Sequence, residues 1–182
     1  MTDRHPKADK AIYKAIIQAP IATVWAELVK TDTVLPFFFG AVCKTTGEIG
    51  VGAPIAMQTT SGRYRSVVGT VLEFNPPHRY SHTFKFTGYE DAPCVVTYDL
   101  KEVDGATEFT LTTTNVPAAS KTEKAMAQGG PFIVKTFKSV VEAGRPSFGG
   151  RLLLAVMGLF EPFTPRVSRS ENWPFEKIRK LQ

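Results

Sequence analysis

Apolar and polar residues repeat with two different periods along this chain, and the points where the period changes divide it into elements. Ala11 to Ala19 is apolar and β-branched, as expected of an opening strand. Pro20 then opens a helix, where its missing N–H leaves no bond unmade. Ile21, Val24, Trp25, Leu28 and Val29 recur at helical spacing, so one face is predicted to be buried. Leu35 to Phe39 is an apolar knot closed by Gly40, read as a tight turn or a second small helix. From Ala41 to Val116 the period falls to two. Ala41–Thr46 and Pro54–Thr60 read as short strands around a turn holding Gly47, Gly50 and Gly52, and Tyr64–Phe74 as a longer strand. Asn75-Pro76-Pro77 is a turn, because two prolines cannot continue a ladder. In the next strand Tyr80, His82, Phe84 and Phe86 share one face, and Arg79, Ser81, Thr83 and Lys85 the other. Cys94–Val103 and Ala106–Thr114 follow, joined by the hairpin signal Asp104-Gly105. Phe109 and Leu111 oppose Thr110, Thr112 and Thr114. Such alternation predicts an antiparallel sheet packed on one face and wet on the other.

The helical period then returns. Ser120-Lys121-Thr122-Glu123 has the form of a capping box. Gly129-Gly130-Pro131 is expected to interrupt the helix and Pro131 to restart it, with Ile133, Phe137 and Val140 on one face. Gly144 and Pro146 end it. Arg151 to Phe160 is apolar after its first residue, Pro162 and Pro165 break that run, and Glu171 to Gln182 reads as a final charged helix with Trp173 and Phe175 near its start. The order predicts an α+β fold, a curved antiparallel sheet of about six or seven strands wrapped around one long helix. A hollow is expected between the two layers.

Composition narrows the picture. At 182 residues the chain reads as about one domain. Thirteen Phe against two Trp point to a roomy aromatic interior. The net charge is +5, but residues 1–144 hold 15 Lys/Arg against 14 Asp/Glu, so the basic character belongs to the last 38 residues. The body offers no basic stripe with interleaved aromatics, which weakens any nucleic-acid role. No apolar stretch approaches a membrane span. The polar start is not a secretory signal, so a cytoplasmic location is expected, with Cys43 and Cys94 as free thiols.

Four segments carry a family resemblance: Ile16–Leu28 (IIQAPIATVWAEL), Gly69–Phe84 (GTVLEFNPPHRYSHTF), Val96–Pro117 (VTYDLKEVDGATEFTLTTTNVP) and Gly129–Pro146 (GGPFIVKTFKSVVEAGRP). In this order they resemble the SRPBCC superfamily (START-like, Bet v 1-like, helix-grip). Within it they are most similar to the branch named after the C-terminal domain of the heat-shock-protein-90 ATPase activator. Phe84 stands where that branch usually carries another aromatic, often Trp. The resemblance covers roughly residues 10–146 and implies a sheet gripping the late helix, with a ligand cavity between them. Residues 147–182 lie outside it, as an extension packed on the domain or on a partner. Superfamily members include lipid and hormone binders, polyketide cyclases and chaperone partners, so no ligand is implied.

On this reading the residues expected to face the cavity are Phe37, Met57, Tyr64, Tyr80, His82, Phe84, Tyr98, Phe109, Ile133 and Phe137. At least one of Phe37, Phe38 and Phe39 should meet the ligand, and Ile133 and Phe137 should form the floor. His82 is the one candidate for chemistry. It is either a polar anchor or general base, with Tyr98 or Tyr64 as hydroxyl partner, or a core histidine satisfied by a neighbour. Asp99 and Glu102 face opposite ways and make no acid–base pair; Asp99 reads instead as a solvated partner of Lys101. Arg63 and Arg65 either receive a carboxylate or guard the strand. His5, His78 and His82 lack metal-ligand spacing, and no nucleotide loop or serine elbow occurs, so no metal or cofactor is expected.

The expected function is binding of a small hydrophobic or amphipathic ligand. The alternatives are a cyclase or dehydratase using His82, and a chaperone ATPase co-regulator. A homodimer, a chaperone contact or a peripheral membrane contact through the basic tail are further expectations. For the apolar run from Leu152 to Phe160, packing on a dry protein surface is preferred to membrane contact.

Overall fold

The computed structural model describes residues 10–159 and 161–181. His5 lies outside the described residues, as does Phe160, the end of the apolar run. Among the described residues, β1 (Ala11–Ile17) leads into α1 (Ile21–Leu28), whose buried face is Ile21, Val24, Trp25 and Leu28. A two-residue β2 (Val34–Leu35) and a 3-10 turn at Pro36–Phe38 follow. The meander is β3 (Ala41–Thr45), β4 (Pro54–Gln58), β5 (Arg65–Asn75), β6 (Arg79–Phe86), β7 (Cys94–Val103) and β8 (Ala106–Thr114). All pairings are antiparallel, in the order β1-β8-β7-β6-β5-β4-β3-β2. The eighth strand beyond the expected seven is β2, too short to leave a period in the sequence.

The sheet curves for identifiable reasons. The β4–β5 register shifts between Met57 and Gln58, and the β5–β6 register between Val71 and Glu73. Such irregularities bend a strand and add local twist. At Gly69 the backbone of β5 presses on β6, and a Cβ there would overlap the Thr83 carbonyl. The Thr70 N–H turns to the Thr83 hydroxyl, 2.8 Å away. The concave face carries Tyr80, His82, Phe84, Tyr98, Phe109 and Leu111, all buried. On the convex face Ser81, Thr97 and Thr112 lie in register across β6, β7 and β8. Arg79 on that side pairs with Asp99 at 2.6 Å and with Glu73, so the partner of Asp99 is Arg79 and not Lys101.

The long helix α2 (Lys121–Ala143) lies in the grip of the sheet. The Ser120 hydroxyl accepts the Glu123 N–H at 3.0 Å, as the capping box predicts. The expected break at Gly129-Gly130-Pro131 does not occur: α2 runs through it. Pro131 removes one intrahelical bond, the one to the Ala127 carbonyl. The buried run Ile133, Val134, Phe137 and Val140 holds the next turns in place. Gly130 serves packing, since any Cβ would enter the Tyr13 ring of β1. Phe109 and Phe137 are fully buried with ring centroids 4.7 Å apart. Each contributes roughly 2 kcal/mol by burial alone.

Beyond Gly144 the chain forms α3 (Phe148–Leu159) and three 3-10 turns, the last at Ser170–Asn172, before a single-turn α4 (Phe175–Ile178). The helix expected over Glu171–Gln182 is therefore mostly absent from the described residues. Pro174 pushes Trp173 out of the helical region, to φ −130° and ψ 58°. Trp173 and Ile178 instead pack on Ala56 and Val68, on the convex face of β4 and β5. The Trp173 indole N–H donates to the Val167 carbonyl at 2.8 Å. The Arg65 guanidinium lies 4.3 Å over the Phe175 ring and donates to the Trp173 carbonyl. Tyr64 and Arg169 form a β-bridge, and the Ser170 N–H donates to the Arg63 carbonyl at 2.9 Å.

Candidate functional site

A hollow of about 850 Å³ lies between the concave sheet and α2. Its inner wall is apolar: Val67, Phe84, Phe86, Val96, Tyr98 and Leu111 from the sheet, Met126, Phe132 and Ile133 from α2, and Phe38 and Phe39 from the turn after β2. Polar groups come from Thr59, Thr60, Tyr64 and Ser66 on and around the β4–β5 connection, from Gln128 on α2, and from Glu161 and Thr164 in the tail. Leu154 of α3 completes the wall. Its methyl stands 3.5 Å from where a Gly40 Cβ would lie. Glu161 is tied to the β4–β5 connection, accepting from the Ser61 hydroxyl and from Arg63 at 3.2 Å. The tail thus straps one side of the hollow, with Arg63 meeting a carboxylate and Arg65 covering an aromatic ring.

A second, much smaller void of about 10 Å³ is lined by Phe37, Met57, Tyr80, His82 and Tyr98, with Leu35 and Cys43 among its neighbours. That is about the volume one water needs. Phe38 and Tyr98 belong to the walls of both spaces. The ten residues expected from the sequence therefore divide three ways. Tyr64, Phe84, Tyr98 and Ile133 line the large hollow; Phe37, Met57, Tyr80 and His82 line the small void; Phe109 and Phe137 line neither, meeting each other in the core, where Phe137 also meets Phe37.

His82 faces inward and is fully buried, with a Tyr80 ring 5.2 Å away and Tyr98 at 6.0 Å. Its Nδ1–H donates to the Thr83 carbonyl at 2.8 Å, and Nε2 has no hydrogen-bond partner. Burial lowers its pKa to about 4. At neutral pH it is an uncharged imidazole that borders the one-water void and does not line the large hollow. Burial likewise lifts Tyr80 and Tyr98 well above the ordinary tyrosine range. The thiols of Cys43 and Cys94 are pushed up to about 12, leaving both weak nucleophiles.

Of the Phe37–Phe39 run, Phe38 and Phe39 line the large hollow and Phe37 does not; Phe86, Val96, Leu111, Met126, Phe132 and the tail residues are not among the candidates the sequence offers. Phe86 and Leu111 were within reach, since they share strand faces with Phe84 and Phe109. The tail residues carry no such signal.

A curved antiparallel sheet gripping a long helix over an internal hollow defines the helix-grip, Bet v 1-like class. The sequence profile for Activator of Hsp90 ATPase homolog 1-like proteins matches residues 18–142, and the chain belongs to that family. A search of curated proteins finds no match. Among solved structures, the chain is similar to an HSP90 activator from Plasmodium falciparum, with 20% identity over 75% of this chain and 97% of that one and a TM-score of 0.55. It is also similar to the Aha1 dimer from Colwellia psychrerythraea (14% identity, 75% and 98% coverage, TM-score 0.59). A third is CalU16 from Micromonospora echinospora (18% identity, 82% and 83% coverage, TM-score 0.58). At these identities the structural likeness speaks for the fold. The matched family segment ends before α3, so Leu154, Glu161 and Thr164 lie outside it.

Proposed function

We propose that this protein binds a small hydrophobic or amphipathic molecule in the large hollow. One observation carries the reading: about 850 Å³ of space bordered mainly by aromatic and aliphatic side chains, with a few hydroxyl, amide and carboxyl groups among them. That size and make-up are those of a small-molecule site. The apolar body of the ligand lies against Phe84, Val96 and Leu111, and its polar end among Thr60, Glu161 and Thr164. Tyr98 and Thr113 are buried polar-tipped side chains of the wall, and among the described residues the Thr113 hydroxyl has no hydrogen-bond partner. His82 orients nothing directly in this reading; its place at the separate small void counts against the cyclase or dehydratase alternative.

A fluorescent apolar probe, anilinonaphthalene sulfonate, tests the reading. The native protein should enhance its emission saturably, with a dissociation constant on the order of micromolar. Ala125→Trp, which grows from α2 into the space, should remove most of that signal without unfolding the chain. Equal binding by both proteins would overturn the assignment.

Membership of the Hsp90 ATPase activator-like family supports a second reading, a co-chaperone that docks through its surface. The same Ala125→Trp variant separates the two, because a surface-docking protein would still stimulate a chaperone ATPase with its hollow filled.

A further inference from the structure

Among the described residues, helix α3 carries apolar side chains on two sides, and those of one side stand exposed. Gly150 is buried against Pro146, and Leu154, one turn on, is half-buried at the wall of the hollow. The opposite side presents Phe148, Leu152 and Val156, spaced four apart to form a ridge, with 82%, 59% and 41% of their surfaces exposed. A helix that is apolar all round is normally covered all round. Arg151, also exposed, flanks this ridge one residue before Leu152. Arg145 precedes the helix, and Arg166 and Arg169 follow it, all exposed. Among the described residues no ion pair engages Arg145, Arg151 or Arg166, whereas Arg169 has Glu171 at 3.5 Å. The one carboxylate between Arg145 and Arg169 is Glu161, already held by Ser61 and Arg63.

We propose that the outer ridge of α3, with its arginines, docks on an anionic lipid bilayer. An apolar ridge beside unpaired cations is the make-up of an interfacial helix. The charge distinguishes this occupant from a second copy of the chain. A two-fold contact through the ridge would set Arg151 and its neighbours against the same cations, and the stretch from Arg145 to Arg169 brings no carboxylate to meet them besides the engaged Glu161. A phosphatidylserine surface supplies the missing negative charge. Docking there sets the strap that walls the hollow against the lipid. The surface stands independently of the cavity reading, because it is argued from the outward side chains alone.

Flotation of the full chain with vesicles tests it. Binding is expected to vesicles in which about a third of the lipid is phosphatidylserine, and not to pure phosphatidylcholine. It should weaken as ionic strength rises. Arg151→Ala should weaken it about fivefold, and Leu152→Asp should abolish it. Lys101→Ala, on an exposed position of β7 outside the strap, should leave it unchanged. All three side chains are exposed, so these variants keep the fold. Flotation with neutral vesicles to the same extent, no flotation at all, or indifference to Arg151→Ala and Leu152→Asp would overturn the proposal. A concentration-dependent dimer dissolved by Leu152→Asp would also overturn it, by assigning the ridge to a second copy. No cavity ligand enters this assay, so its failure would leave the function proposed above untouched.

Discussion

Replacing His82 by phenylalanine should change how the protein responds to acid far more than how it behaves at neutral pH. His82 is fully buried among aromatic rings, and burial lowers its pKa from 6.5 to about 4. The folded state therefore binds its proton later than the unfolded chain does. Above pH 6.5 neither state is protonated there and stability is at its full value. As the pH falls from 6.5 toward 4, the unfolded chain takes up the proton first and stability drains away. At 1.36 kcal/mol per pH unit, the loss by pH 4 is about 3 kcal/mol. Asp32, held low by Lys44, and Asp91, held low by the Thr122 N–H, contribute a loss that begins only as the pH nears the ordinary aspartate value of 3.8 and runs on below it. Those contributions are common to both proteins and cancel in the comparison. Urea unfolding at pH 7 and pH 4, extrapolated to water, gives the four free energies required. The native protein should lose about 3 kcal/mol more than His82→Phe between the two pH values. Parallel losses in the two proteins would refute the claim that His82 is a neutral, sealed core imidazole.

Two further pairs of substitutions probe the helix and the strap. Gly130→Ala should destabilise the protein by about 1–2 kcal/mol by overpacking against Tyr13. Gly149→Ala, with open space at its Cβ, should stabilise by about 0.5 kcal/mol through helix propensity; thermal unfolding of both reads the opposite signs. Trp173→Ala removes the buried anchor on Ala56 and Val68 and should cost about 3 kcal/mol. Limited proteolysis should then cut between residues 147 and 172 while leaving 10–146 intact, whereas Trp173→Phe should largely preserve protection.

Much of this architecture was readable from side-chain period. Tyr80, His82 and Phe84 announce the concave face because every second residue of β6 must point the same way. Helix α2 is legible at both ends, from Ser120 and Gly144, but not in its middle. Gly130 and Pro131 are weak helix residues by themselves, and only the Tyr13 ring across the interface shows what the glycine is for. Alternation tells which side chains point inward, but not whether they meet one another or open space. Phe109 and Phe137 point inward and fill each other's surroundings, while Phe84 points inward onto the hollow. The strap was out of reach for another reason. Leu154 and Glu161 reach the wall only because the chain doubles back and Trp173 fastens it to the outside of β4 and β5, a contact between segments more than a hundred residues apart.

Native mass spectrometry of the gently purified full chain reads directly whether a guest molecule occupies the space between the sheet and α2. A protein peak carrying one added small-molecule mass is expected, shed as collision energy rises and missing from Ala125→Trp. Bare protein in both, with no uptake of added fatty acids or aromatic amphiphiles by the native chain, would contradict it.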